Sequence, residues 1–213
     1  MNSTKWAAVV YSTLAAFALW SVFLYFYNPA LLTWITHEDS VSESVSAICY
    51  LLAAVIFFME WIRGGFRNIF ILGYAVLFLV VGGEEISWGQ RIIGLQTPDS
   101  LKELNVQQET NLHNIEGIHQ HVRMVGLLVV LTIAVLMPLT QQWIRSIREL
   151  YTRLMIPVVP LWTLPITMLA LLFMAVPRLV WNETIFTLDE IGELYLSLVF
   201  LFFALAVRVQ KGR

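Results

Sequence analysis

IFILGYAVLFLVVGGEEISWGQR, residues 69–91, runs from Ile69 to Gly83 without a charge and then sets two carboxylates side by side. A hydrocarbon core about 30 Å thick takes roughly 20 residues at about 1.5 Å rise, so the run reads as a membrane-spanning helix over 69–88. That reading decides the fold. Five further apolar runs lie at 6–27, 41–62, 122–139, 156–176 and 189–207. Together they predict an all-α polytopic membrane bundle of about six transmembrane helices, one integral membrane domain over 1–213.

Composition agrees. The chain is 58% hydrophobic and 13% charged, with mean hydropathy +0.72, where a soluble domain carries about 25% charged residues. Cys49 is the lone cysteine, which excludes a disulfide framework and a cysteine metal site. A net charge of −2 with scattered basic residues excludes a nucleic-acid footprint. The first run is too long for a signal peptide and lacks a small-x-small site before Asn28-Pro29, so it stays a span. Pro157, Pro160 and Pro165 remove backbone donors and should bend or break the first half of the fifth run.

Six spans put both termini on one side. Lys5, Arg63, Arg67, Arg145, Arg148, Arg153, Arg208, Lys211 and Arg213 fall there, nine of the thirteen basic residues. The positive-inside rule makes that side the cytoplasm. The other face then collects His37-Glu38-Asp39, Glu84-Glu85, the segment from Arg91 to His121, and Asp189-Glu190.

Two of the acidic groups have a simple reading. Ser40-x-x-Glu43 and Thr187-x-x-Glu190 fit the capping box, which suits the positive end of a helix dipole. Glu193 lies one turn deeper, in line with Asp189 and Ser197. Glu84 and Glu85 cannot be caps, because they sit at a helix C-terminus, where the dipole disfavours negative charge. Acids at membrane depth are functional candidates; the competing reading is an ion pair with Arg91 or Arg123. Gly82-Gly83 and Gly89 predict close backbone approach or a bent, re-entrant exit.

Between the third and fourth spans, Thr97-Pro98 reads as a helix start, with Ser100-x-x-Glu103 as a competing capping box. Leu101, Leu104, Leu112, Ile115 and Val122 recur at helical spacing and predict an interfacial amphipathic helix. Its adjoining face carries Glu109, His113 and Glu116, four and three residues apart, a spacing that lets a carboxylate and an imidazole share a metal or act as a base and its orienter. His119 falls on the apolar stripe, where packing is expected; His37 and His121 read as solvated.

GEEISWGQR, followed by Thr97-Pro98, Asn105, Gln107, Glu109 and the NLHN of 111–114, resembles a pattern of uncharacterised multi-pass bacterial membrane proteins, over residues 82–114. The resemblance implies a bacterial inner-membrane protein. A looser similarity is to the CAAX-type intramembrane proteases, whose first motif is EExxxR at a helix end and whose glutamates and histidines position a water for peptide hydrolysis. Here Arg91 comes two residues later, as EExxxxxR, and Glu109-x-x-x-His113 is the nearest counterpart of the histidine motif. No residue is carried over from the seven-span ceramidase-like hydrolases.

These readings predict a membrane-embedded hydrolase or transferase acting on a lipid or lipid-linked substrate at the outer interface. Glu84, Glu85, His113 and Arg91 are the candidate catalytic residues, with Arg91 steadying a phosphate or carboxylate. Glu85, Glu109, His113 and Glu193 are the candidate ligands of a divalent metal, zinc, manganese or iron, that would activate a water. The metal-free version makes Glu85 the general base and His113 its acid partner. Two other readings stand beside it: an ion-coupled transporter using Glu84, Glu85 and Glu193, and an assembly subunit whose polar residues form a buried network.

Overall fold

Asn68 starts the helix that the opening stretch predicts. Its side-chain oxygen accepts from the amides of Phe70 (3.0 Å) and Ile71 (3.2 Å), satisfying donors that a helix start leaves open. The computed structural model describes residues 3–36, 41–94, 96–105, 110–111, 115, 117, 119–181 and 186–211, except for the side chains of 3–9, 91–92, 119–120, 123, 176–181, 186–187 and 210–211. In chain order the helices are α1 (Ser3–Tyr27), α2 (Pro29–Thr36), α3 (Val41–Arg63), α4 (Ile69–Glu85), the short α5 (Gln90–Ile93) and α6 (Asp99–Lys102), α7 (His119–Val130), α8 (Met137–Trp143), α9 (Arg145–Arg153), α10 (Leu164–Trp181) and α11 (Phe186–Lys211). The fold is an all-α bundle. Four stretches, Val10–Tyr27, Pro29–Arg63, Met124–Trp143 and Leu188–Val209, are long and apolar enough to cross a membrane. Helix α4, of 17 residues, and the apolar stretch Leu161–Ala175 complete the bundle.

The core is the trio α3, α4 and α11. In lipid, apolar burial does not drive helices together, so close packing must hold them. Small residues allow it: Ala53 and Ala204 are wholly buried, and a Cβ on Gly82 would stand 3.0 Å from Leu51 Cγ. Aromatic rings fill the rest. Phe57 lies 5.3 Å from Tyr74, 5.7 Å from Phe78 and 5.0 Å from Phe203, and Phe200 closes on Phe78 at 4.9 Å and on Tyr50 at 6.3 Å. The result is an aromatic column along the bundle axis.

On the far side of α11, α10 packs closely. A Cβ on Gly192 would meet Met174 Cγ at 2.6 Å and the Ala170 carbonyl oxygen at 2.8 Å. Helix α1 is tied on by the Tyr195 hydroxyl, which donates to the Leu14 carbonyl at 2.6 Å, and by the Tyr11 hydroxyl donating to the Trp162 carbonyl.

One expectation is refined and one changes. The fourth run is a continuous apolar stretch, Met124–Trp143, within which residues 131–136 widen into a π-turn and the Met137 amide reaches back five residues to Thr132. Pro138 explains it, since its ring cannot donate and would clash with the carbonyl one turn back. The amphipathic helix from Thr97 does not form as one element. Helix α6 is a single turn, Glu103 and Leu104 lie in a turn, and Asn105 pairs with Ile115 in an antiparallel bridge. Leu101 and Ile115 therefore share no helix, and the regular spacing arose by coincidence in a segment held by side-chain amides. The proline effect on the fifth run is visible directly: residues 156–160 are non-helical, and α10 begins only after a 3-10 turn at Leu161–Thr163.

Candidate functional site

Helix α4 delivers Glu84 and Glu85 at its last turn, and the chain then leaves through an unusual bend. Ser87 (φ 46°), Trp88 (φ 56°) and Gly89 (φ 75°) are three consecutive left-handed residues. Two carry side chains, so the bend stores strain of order 1–3 kcal/mol per residue that the surroundings must hold. They do so from both sides. The Trp88 indole donates to Glu84 Oε1 at 2.7 Å, and its ring lies against Gly83, where a Cβ would come within 2.8 Å. Buried Ser87 accepts from Asn111 Nδ2 at 3.0 Å. Asn105 Nδ2 reaches both the carbonyl and the side-chain oxygen of Asn111 at 2.8 Å. Gln90 Nε2 donates to Thr97 Oγ1 at 2.6 Å, and Gln90 Oε1 accepts from the Thr110 amide at 2.7 Å. A network of amides and hydroxyls thus clamps the segment after α4 onto the bend.

The two glycines preceding the acids have distinct jobs. Gly82 permits the close approach of α3, and Gly83 leaves the space that Trp88 fills.

Glu85 lies in electrostatic range of Glu193, Glu190, Glu43 and Glu84, carboxylates drawn from α11, α3 and its own helix. All five are partly buried. Tyr50, one-sixteenth exposed at most, is in range of both Glu85 and Glu193, and its ring stacks on Phe78 at 6.2 Å. Tyr50 and the aromatic column therefore form the floor beneath the acids. Below Glu193, the Ser197 hydroxyl donates to the Leu194 carbonyl at 2.8 Å and meets the thiol of Cys49, which is buried and free. Cys49 is a packing residue.

Of the sequence candidates, Glu84, Glu85 and Glu193 come together at one end of the α3–α4–α11 trio. Glu43 and Glu190, read as capping residues, join the same cluster; their box partners Ser40 and the Thr187 side chain lie outside the described residues, as do His37, Glu38 and Asp39. Glu109, His113 and Glu116 also lie outside them, with Gln107 and the side chains of Arg91, Arg123 and His119. Among the described residues no three histidine, cysteine or acidic side chains stand together as an ion would require. The metal set depends on two residues beyond that description. His121 is exposed, with Nδ1 3.3 Å from the Gly117 carbonyl.

Sequence reading missed Tyr50, Ser87, Gln90 and Asn111 as supporting residues. Polar side chains inside the quoted motif were the available signal for the last three. It also missed Glu60, 3% exposed at the opposite end of α3, where Arg63 Nη1 donates to it at 2.7 Å; an acid three residues before an arginine marks such a pair. Comparison of the chain with family models, curated proteins and solved structures finds no match.

Proposed function

We propose that the protein is a membrane-embedded hydrolase or transferase acting on a lipid or lipid-linked substrate at the membrane interface, with the carboxylate cluster as its reactive centre. The observation that carries this reading is that Glu43, Glu84, Glu190 and Glu193, drawn from three helices, all lie within electrostatic range of Glu85, beside a strained bend. Carboxylates in electrostatic range of one another disfavour full ionisation of the group, which suits a site that handles a proton.

In this reading Glu85 is the general base. It takes the proton of a water or acceptor hydroxyl as that oxygen attacks the phosphoryl or acyl centre, and His113 returns a proton to the departing oxygen. Arg91 steadies the substrate anion. In the metal-assisted version, Glu85, Glu109, His113 and Glu193 would hold zinc, manganese or iron, and the chemistry it would supply is activation of a water. The arginine-rich end faces the cytoplasm of a bacterial inner membrane, and the acidic end the outer side. Membrane lipid is both solvent and source of substrate.

Reconstitution into vesicles of total bacterial lipid, with lipid products followed by mass spectrometry, tests the proposal. Wild type is expected to convert a lipid, and Glu85→Gln and His113→Ala to lower conversion by about 100-fold or more while keeping wild-type thermal stability. Parallel collapse of stability in both variants, or no conversion by any protein, would favour the assembly-subunit reading. Metal content measured on the same preparations separates the two versions: near-stoichiometric metal lost in both variants supports the metal-assisted one.

A further inference from the structure

At the end of the bundle opposite the acids, two turns meet. One follows α3 and includes Phe66; the other follows α9 and includes Met155. Asn68 Nδ2 donates to the Met155 carbonyl at 2.7 Å, and the Tyr74 hydroxyl to the Pro157 carbonyl at 3.2 Å, locking them together. Both tips are left-handed without being glycine, Phe66 at φ 61° and Met155 at φ 53°. Both are displayed rather than packed away, at 61% and 62% exposure. Arg67 and Arg153 flank them, exposed, and neither side chain has a hydrogen bond or ion pair among the described residues.

Helix α9 continues the same surface. Ile147 and Tyr151 are half-buried, the Tyr151 hydroxyl lying 3.4 Å from Thr140 Oγ1 of α8, while Leu150 and Leu154 face outward. Arginines and a glutamate occupy the other side of the helix. The chain bends sharply at Ile144 (φ −112°, ψ 105°), and Arg148 holds the bend by donating to the carbonyls of Gln141 at 2.8 Å and Gln142 at 2.5 Å. The bend comes directly after Trp143, where the apolar stretch Met124–Trp143 ends. The phase beside the outward leucines is therefore the boundary between acyl chains and headgroups, where a basic amphipathic helix meets anionic lipid.

We propose that this end of the bundle binds anionic phospholipid. Arg67 and Arg153 take the headgroup phosphate, while Phe66, Met155, Leu150 and Leu154 seat in the acyl boundary. Neutral phospholipid offers the same apolar layer without the net negative charge that two arginines favour.

Native mass spectrometry of the full chain released from nanodiscs of phosphatidylcholine, with phosphatidylglycerol as the minor component, reads the selectivity. Wild type is expected to retain phosphatidylglycerol in excess of its share. Arg67→Gln and Arg153→Gln should each lower that enrichment about fivefold, and Lys102→Gln, near the acidic end, should leave it unchanged. Proportional retention by wild type, or undiminished enrichment in the double arginine variant, would overturn the proposal. So would loss of the retained phosphatidylglycerol to an equal concentration of soluble glycerol phosphate, which would make the site one for a free anion. A second readout keeps every arginine: an environment-sensitive dye on Leu154→Cys, with Cys49 buried, should emit as in a lipid boundary, and fully aqueous emission would overturn the seating of α9.

Discussion

Gly83 and Gly192 show how much a missing methyl group decides. At Gly83 a Cβ would press on the far edge of the Trp88 ring at 2.8 Å, and that ring can swing away at the loss of its bond to Glu84. At Gly192 the obstacle includes backbone, the Ala170 carbonyl oxygen at 2.8 Å, so two helices would have to part. Gly83→Ala is expected to cost about 1 kcal/mol and Gly192→Ala about 1–3 kcal/mol, as overpacking does, read as thermal unfolding of detergent-purified protein. Equal effects would mean that α10 yields as easily as an indole. Glu85→Gln should act in the opposite direction. It removes one of five neighbouring carboxylates, so thermal stability at neutral pH should hold or rise even as activity is lost; a large fall would make Glu85 a structural acceptor instead.

Among the elements, α4 depends on Asn68 for two separable tasks. Its oxygen caps the helix, and its amide nitrogen ties the helix start to Met155. Asn68→Asp keeps the acceptor and loses the donor; Asn68→Ala loses both. The expected order of stability is wild type, then Asn68→Asp, then Asn68→Ala, with the cap worth about 1 kcal/mol, again by thermal unfolding. If the two variants were equally unstable, the clasp to Met155 would be the interaction that matters. The contrast with the acidic end is physical: α4 begins at a satisfied cap and ends in a strained bend held by other segments.

For the molecule as a whole, the aromatic column lies between the Glu85 cluster and the paired turns that carry Arg67 and Arg153. Phe57 is wholly buried among Tyr74, Phe78 and Phe203, and Phe57→Ala should be among the most damaging single changes, at about 3–5 kcal/mol. A bundle closed in this way should not conduct. Proteoliposomes are expected to hold an imposed pH gradient as long as protein-free vesicles; dissipation that saturates with an added solute would favour the transport reading.

Hydropathy by itself determined the helical membrane class, because a chain that must satisfy its backbone in lipid has few alternatives to helices of the right length. It also located the break before α10, since proline removes a donor wherever it stands. The motif from Gly82 to Arg91 was visible as an anomaly, two acids at the wrong end of a helix. What joins them was decided only in three dimensions. Glu43 and Glu190 read locally as caps, because a capping box is defined within four residues, whereas electrostatic range is defined through space. Tyr50 gave no periodic or charge signal, and the segment after α4 imitated a helix because leucine spacing records neither strain nor side-chain amides. Helical patterning is a property of neighbours in the chain; the acidic cluster, the clamped bend and the paired turns are properties of residues that only packing makes neighbours.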